Sequence, residues 1–214
     1  MSVRRLPVYL LLDTYGSMTG ESIEAVKNGL NTLVSSLRQN PYALETAYLS
    51  VIEFNNSASV LMPLTELSLF QPPPLTAHGG TSMGEGLRLL ATQIDKEVAK
   101  TTPDTKGDWK PLVFLMTDGS PTDNWKSGVE ELRKRKTALI VACAVGASGD
   151  TTILKEITPD VVSLDTADES SLSAYFKWIS SSISTGSQKA DAGGKEISGL
   201  EDLPPPPPEI NLVV

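Results

Sequence analysis

Four oxygen-bearing side chains, Asp13, Ser17, Thr81 and Asp118, stand where a parallel sheet delivers its ligands. Asp13 closes the apolar run Val8-Tyr-Leu-Leu-Leu-Asp13, and Asp118 follows the apolar run Pro111-Leu-Val-Phe-Leu-Met116. In the usual winding order of such a sheet, the first and fourth strands are neighbours at the switch point. Both carboxylates are therefore expected together at the top of the sheet. Two desolvated like charges repel unless a cation or a proton lies between them. Ser17 and Thr81, on adjacent loops, add neutral oxygens, and glycines at 16, 79, 80 and 119 allow the loops to approach one another. Oxygen ligation without histidine suits a hard ion, Mg2+ first, with Mn2+ or Ca2+ as alternatives. Aspartate at a strand end also caps loops and helices, and that plain role explains either residue alone. The joint placement of all four points to a site.

The elements that must hold this cluster are legible from periodicity. Residues 7–12 read as a fully buried strand. Ile23, Val26, Leu30, Leu33, Val34 and Leu37 predict a helix over about 21–39 with one face on a sheet. Residues 47–54 form a second strand, and Asn55-Asn56-Ser57 turns it into Ser59-Val-Leu-Met62, a hairpin that makes one sheet edge antiparallel. Leu87, Leu90, Ala91, Ile94 and Val98 mark the next helix. A third helix begins after Pro121, Asp123 and Asn124 and runs to about Lys136, with Arg133 to Lys136 as a solvated face. Strands at 139–145 and 161–164 flank a short helix near 153–157. The last helix carries Leu172, Tyr175, Phe176, Ile179 and Ile183, with Thr166 and Glu169 spaced as a capping box. This alternation predicts an α/β fold, a doubly wound and mostly parallel sheet with helices on both faces. One domain is expected over 1–185. Residues 186–214, rich in Gly, Ser and charge and ending in Pro204 to Pro208 and Ile210-Asn-Leu-Val-Val214, are expected to be a disordered tail.

Composition narrows the function classes. A net charge of -8, from 18 basic and 26 acidic residues, repels nucleic-acid phosphates and anionic membrane surfaces, so neither is expected as a partner. The single cysteine, Cys143, lies in an apolar strand and reads as a buried, inert thiol. The N-terminus leads straight into the first strand without a cleavage signal or spanning segment, which favours a reducing, cytoplasmic setting.

Leu11-Leu-Asp-Thr-Tyr-Gly-Ser-Met18, His78-Gly-Gly-Thr-Ser82 and Leu115-Met-Thr-Asp-Gly-Ser-Pro-Thr-Asp123 together resemble the von Willebrand factor A family over about residues 4–185. They look closest to its bacterial tellurite-resistance TerY type. The family signature is Asp-x-Ser-x-Ser, then a threonine, then an aspartate, forming a metal-ion-dependent adhesion site. The resemblance implies a cytoplasmic protein-binding module without catalytic activity in metal-stress systems, encoded beside a protein kinase and a PP2C-type phosphatase. It implies that Ser17 and Thr81 bind the ion directly, that Asp13 and Asp118 act through water or directly, and that the partner donates a carboxylate to the open position. Tyr15 departs from the signature, standing where the first serine belongs. Its phenol sits at the far end of a ring and is a poor ligand when neutral. Three consequences are open: water fills the gap, the ring covers the site, or the residue is an engineered change that disables it.

Rival readings are weaker. Gly80-Thr-Ser-Met-Gly84 matches a nucleophile elbow, but that fold needs its histidine after the serine, and the only histidine, His78, precedes Ser82. An aspartyl-phosphate phosphatase needs an acid where Tyr15 stands. A metal-dependent hydrolase needs a general base beside the ion, which Asp13 or Asp118 would have to supply while holding the metal. A scaffold with a dead site would bind through the Pro72 to Pro74 loop, through an exposed face bearing Trp109 and Trp125, or through the tail.

Overall fold

A computed structural model describes residues 4–137 and 139–213 of the chain. Its elements run β1 (Leu6–Asp13), α1 (Glu21–Arg38), α2 (Pro41–Thr46), β2 (Ala47–Phe54), β3 (Ala58–Glu66), α3 (Met83–Glu97), β4 (Leu112–Thr117), α4 (Trp125–Arg133), β5 (Leu139–Val145), α5 (Thr151–Ile157), β6 (Val161–Leu164), α6 (Glu169–Asp191) and β7 (Asn211–Leu212). The sheet order is β3-β2-β1-β4-β5-β6-β7. Strands β2, β1, β4, β5 and β6 are parallel, while β3 runs antiparallel against β2 as the hairpin signal predicts.

The continuous apolar character of β1 has a simple origin, since both its faces are covered. Leu6, Val8, Leu10 and Leu12 point to one side and join Leu30, Leu33 and Leu37 of α1 and Phe176, Ile179 and Ile183 of α6. Tyr9 and Leu11 point to the other side, into the layer of Leu87, Leu90, Val129 and Leu132 from α3 and α4. Period-two alternation thus splits one apolar strand between two cores. Each fully buried leucine contributes roughly 1.5–3 kcal/mol of transfer free energy, so the central strands form a stiff platform for whatever their C-terminal ends carry.

Three features differ from expectation. The third helix stops at Arg133 rather than near Lys136, with Lys134 as its C-cap and Arg135 drawn to Asp95 and Glu131. The Thr166/Glu169 capping box does not form. Asp168 is the N-cap of α6 and accepts from the Ser171 N–H at 2.8 Å, while Thr166 donates to the Asp168 carboxylate. A carboxylate is the stronger acceptor for a helix N-terminus.

The largest difference is the C-terminal segment, expected to be disordered from residue 186. Helix α6 continues to Asp191, and Ile197, Leu203 and Ile210 are buried against the first core. Trp178 Nε1 donates to the Pro204 carbonyl at 2.9 Å, Lys189 reaches Asp202 at 3.3 Å, and β7 pairs antiparallel with β6. Three isolated apolar residues in a polar stretch, too sparse to register as periodicity, anchor it.

Candidate metal centre

Parallel register brings the two aspartates together. Leu12 of β1 lies opposite Met116 of β4, which places Asp13 level with Thr117 and one step from Asp118. Asp13 is buried, with its two carboxylate oxygens held separately. The Tyr15 backbone N–H donates to Oδ1 at 2.9 Å, and Thr117 Oγ1 donates to Oδ2 at 2.5 Å. Asp118 is half-buried. Its Oδ2 accepts a short hydrogen bond from Ser17 Oγ, whereas its Oδ1 is buried with no hydrogen-bond partner among the described residues. The exposed Ser17 therefore opens on solvent above a floor of two carboxylates.

Thr81 is the fourth member, and it is buried. A Cβ placed on Gly119 would stand 3.5 Å from Thr81 Oγ1 and 3.9 Å from the Tyr15 ring, so all three residues meet around the turn that follows Asp118. Thr81 arrives there on a loop tied to the β2–β3 turn. The Gly80 N–H donates to Asn56 Oδ1 at 2.7 Å, and the Ser82 N–H and Oγ donate to the carbonyls of Asn55 and Asn56. Gly79, at φ +73°, makes the bend, and a side chain there would strike Asn56 at 2.5 Å.

Electrostatics follow from this burial. Loss of solvent pushes the Asp13 carboxyl up to about 7, against the favourable Thr117 bond, and the nearby Asp118 charge adds to the rise. Asp118 is raised as well, again chiefly by burial, with the Ser17 hydroxyl opposing it. Two neighbouring carboxyls that resist ionisation, one with an unsatisfied buried oxygen, form a cluster in electrostatic deficit. A divalent cation among Asp13, Ser17, Thr81 and Asp118 would relieve it, and the hydroxyl and carboxylate donor set suits a hard ion.

Other residues singled out in the sequence take supporting places. Ser82 spends its hydroxyl on a backbone carbonyl. His78 is exposed on the same loop, with its N–H bonded to the Thr14 carbonyl at 2.9 Å. Trp109 is not on an exposed face, because it is buried with the Arg4 guanidinium 4.5 Å above its ring; Trp125 is half-buried at the start of α4. Cys143 is fully buried, and desolvation pushes its thiol up. Two residues were not legible beforehand. Thr117 binds Asp13, and Asn56 aims Gly80; neither carries a periodic or charge signal in the chain.

Comparison with known proteins agrees with this architecture. The family model for the von Willebrand factor type A domain matches residues 8–177. An uncharacterized protein of Synechocystis sp. is 33% identical over 123 residues, which cover 54% of this chain and 26% of that protein. Among solved structures, the pilus adhesin SpaC of Lactobacillus rhamnosus GG in its open conformation superposes with TM-score 0.68 at 15% identity, over 86% of this chain and 30% of its own. A von Willebrand factor type A structure from Catenulispora acidiphila gives 0.63 at 16%, over 85% and 43%. Proximal thread matrix protein 1 from the mussel byssus, with a zinc-occupied MIDAS motif, gives 0.62 at 20%, over 83% and 48%. The chain thus spans about a quarter of the Synechocystis protein and under half of each of these structures. At such identities the structural likeness speaks for the fold. Combined with the match over residues 8–177, it makes the chain a member of the von Willebrand factor type A domain family.

Proposed function

We propose that this domain is a protein-binding module whose cluster of Asp13, Ser17, Thr81 and Asp118 holds a divalent cation, Mg2+ or Mn2+, and presents it to an acidic side chain of a partner. The observation that carries this reading is the buried, unpartnered Asp118 Oδ1 beside a second carboxylate that resists ionisation. Buried polar atoms are ordinarily satisfied, and a cation bound here would satisfy this oxygen and offset the repulsion between the two carboxylates. When bound, the ion supplies an electrophilic point that a carboxylate completes. The chain's own residues orient it: Thr117 and the Tyr15 N–H fix Asp13, and Asp118 is held towards Ser17.

Tyr15 makes the site degenerate. Tyr15 is 37% exposed and its ring stands beside Gly119 at the rim, so position 15 contributes a wall in place of a short hydroxyl. That observation favours a second reading, a scaffold whose site no longer takes an ion. At the system level, the resemblance of the three motifs supports a cytoplasmic role in a TerY-type tellurite or metal-stress system, with a kinase or a PP2C-type phosphatase as partner. Among the described residues no helix is long and apolar enough to cross a membrane.

Calorimetric titration of Mg2+ and Mn2+ into the chain and into Tyr15→Ser decides between the two. Saturable binding that Asp118→Ala abolishes supports the ion site. No binding by either protein refutes it. Pulldown with a TerY-type system's kinase and PP2C-type phosphatase as bait, in Mg2+ and in chelator, then tests the proposed partners.

A further inference from the structure

The loop that follows Asp118 does more than turn the chain. Residues 120–124 fold back over the start of α3 and grip the segment carrying Thr81. The Thr122 N–H donates to the Thr81 carbonyl at 2.9 Å, and the Thr81 N–H donates to Thr122 Oγ1 at 3.3 Å, so the two threonines are joined in both directions. One residue further on, Asp123 places Oδ1 and Oδ2 on the backbone N–H groups of Gly84 and Glu85, each at 2.9 Å. Asp123 thereby caps α3 from outside the helix. This explains why Ser82, in the N-cap position, makes no side-chain cap bond of its own. Contact is so close that a side chain at Gly84 would strike the Asn124 carbonyl at 2.6 Å. Arg88, one turn into the helix, adds a loose ion pair to Asp123 at 3.8 Å.

Resting on the reading of the cluster as an ion site, we infer that Thr122 and Asp123 are positioning residues for it. They clasp the Thr81 segment to the Asp118 loop, so that oxygens from two distant parts of the chain keep one spacing. Asp13 and Asp118 are set by the sheet register, but Thr81 enters on a loop with no strand partner. Its flanking residues are tied to the β2–β3 turn, and the clasp is the direct tie between Thr81 and the loop that carries Asp118. Partners of this kind orient ligands without touching the ion, and losing one typically weakens metal affinity 10–100-fold.

The test separates positioning from simple loss of stability. Thr122→Val keeps shape and charge but removes the acceptor for the Thr81 N–H, and Thr122→Ser restores it. Expected by calorimetric titration of Mn2+ is about a tenfold weaker affinity for Thr122→Val and affinity within twofold of the parent for Thr122→Ser. Asp123→Asn, which leaves only one acceptor for the Gly84 and Glu85 N–H groups, is compared with Asp168→Asn, which removes an equal charge at the N-cap of α6, just after β6 and so two strands from β4. Both lower the unfolding midpoint, but only Asp123→Asn weakens Mn2+ binding. Amide hydrogen exchange without metal gives an independent readout, with Thr81 exchanging faster in Thr122→Val and returning to the parent rate in Thr122→Ser. If the parent binds Mn2+ and the clasp variants match it, or if Asp168→Asn weakens binding as much as Asp123→Asn, the clasp is wrong and the ion site stands. If the parent binds no Mn2+, both fail.

Discussion

Substituting Asp13 by Asn should exchange one pH dependence of stability for another, with curves that cross. In the folded chain the Asp13 carboxyl titrates near 7, against an ordinary value of 3.8. The folded state therefore holds its proton more tightly than the unfolded state between those values. The stability contributed by the protonated form is fully present below about pH 4 and is lost as pH rises through about 7. At 1.36 kcal/mol per pH unit the full loss is about 4 kcal/mol as a ceiling, of which about 2.5 kcal/mol falls between pH 5 and pH 8. Asn cannot ionise. It keeps one of the two acceptors used by Thr117 and the Tyr15 N–H and loses the other, at a cost of roughly 1 kcal/mol. About 1.5 kcal/mol is already lost by pH 5, so the curves cross between pH 4 and pH 5, and Asp13→Asn should be less stable than the parent at pH 4 and more stable at pH 8. The assay is urea unfolding in chelator at pH 4, pH 5 and pH 8. Adding Mg2+ at pH 8 to a hundred times its dissociation constant should restore about 2.7 kcal/mol to the parent and nothing to Asp13→Asn. Equal loss between pH 5 and pH 8 in both proteins would refute the argument, because the titrating group would then lie elsewhere.

Tyr15→Ser should strengthen Mg2+ affinity by about tenfold, about 1.4 kcal/mol, by supplying the missing hydroxyl; equal affinities in calorimetry would show that the tyrosine is no obstacle. Ser17→Ala should weaken ion binding while changing the unfolding midpoint of the metal-free protein little, since Ser17 is exposed and surface substitutions usually stay within about 0.5 kcal/mol. Truncation after Asp191 removes the buried side chains of Ile197, Leu203 and Ile210. At roughly 1.5–3 kcal/mol each, it should lower stability by several kcal/mol, read as a lower urea midpoint. Cys143, fully buried with its thiol pushed up, should react with a thiol reagent in urea above the midpoint and resist it in native buffer.

Wherever one side chain's type determines local structure, the chain could be read directly. The strand cores, the hairpin at Asn55-Asn56-Ser57 and the order of helices follow from apolar period and turn chemistry, because a buried strand or an amphipathic helix needs a pattern that no neighbour can substitute. Asp13, Ser17, Thr81 and Asp118 could be named as candidates for the same reason: they end apolar runs or sit on glycine-bearing loops. The capping of α6 was misread because Thr166 and Asp168 compete for one set of N–H groups, and only the folded turn determines which acceptor reaches them. The C-terminal segment differs from expectation because its anchors are single residues whose burial depends on packing against the α6 side of the folded sheet.

Sequence alone therefore determined the elements and the oxygen-bearing chemistry offered at their ends. Tertiary structure alone decided how those oxygens are held and charged. The burial that lifts Asp13 to about 7, the orphaned Asp118 oxygen and the Thr122–Asp123 clasp on Thr81 all depend on distances between residues 40 to 100 positions apart. Those distances are set by sheet register and loop docking, quantities that no local window of residues contains.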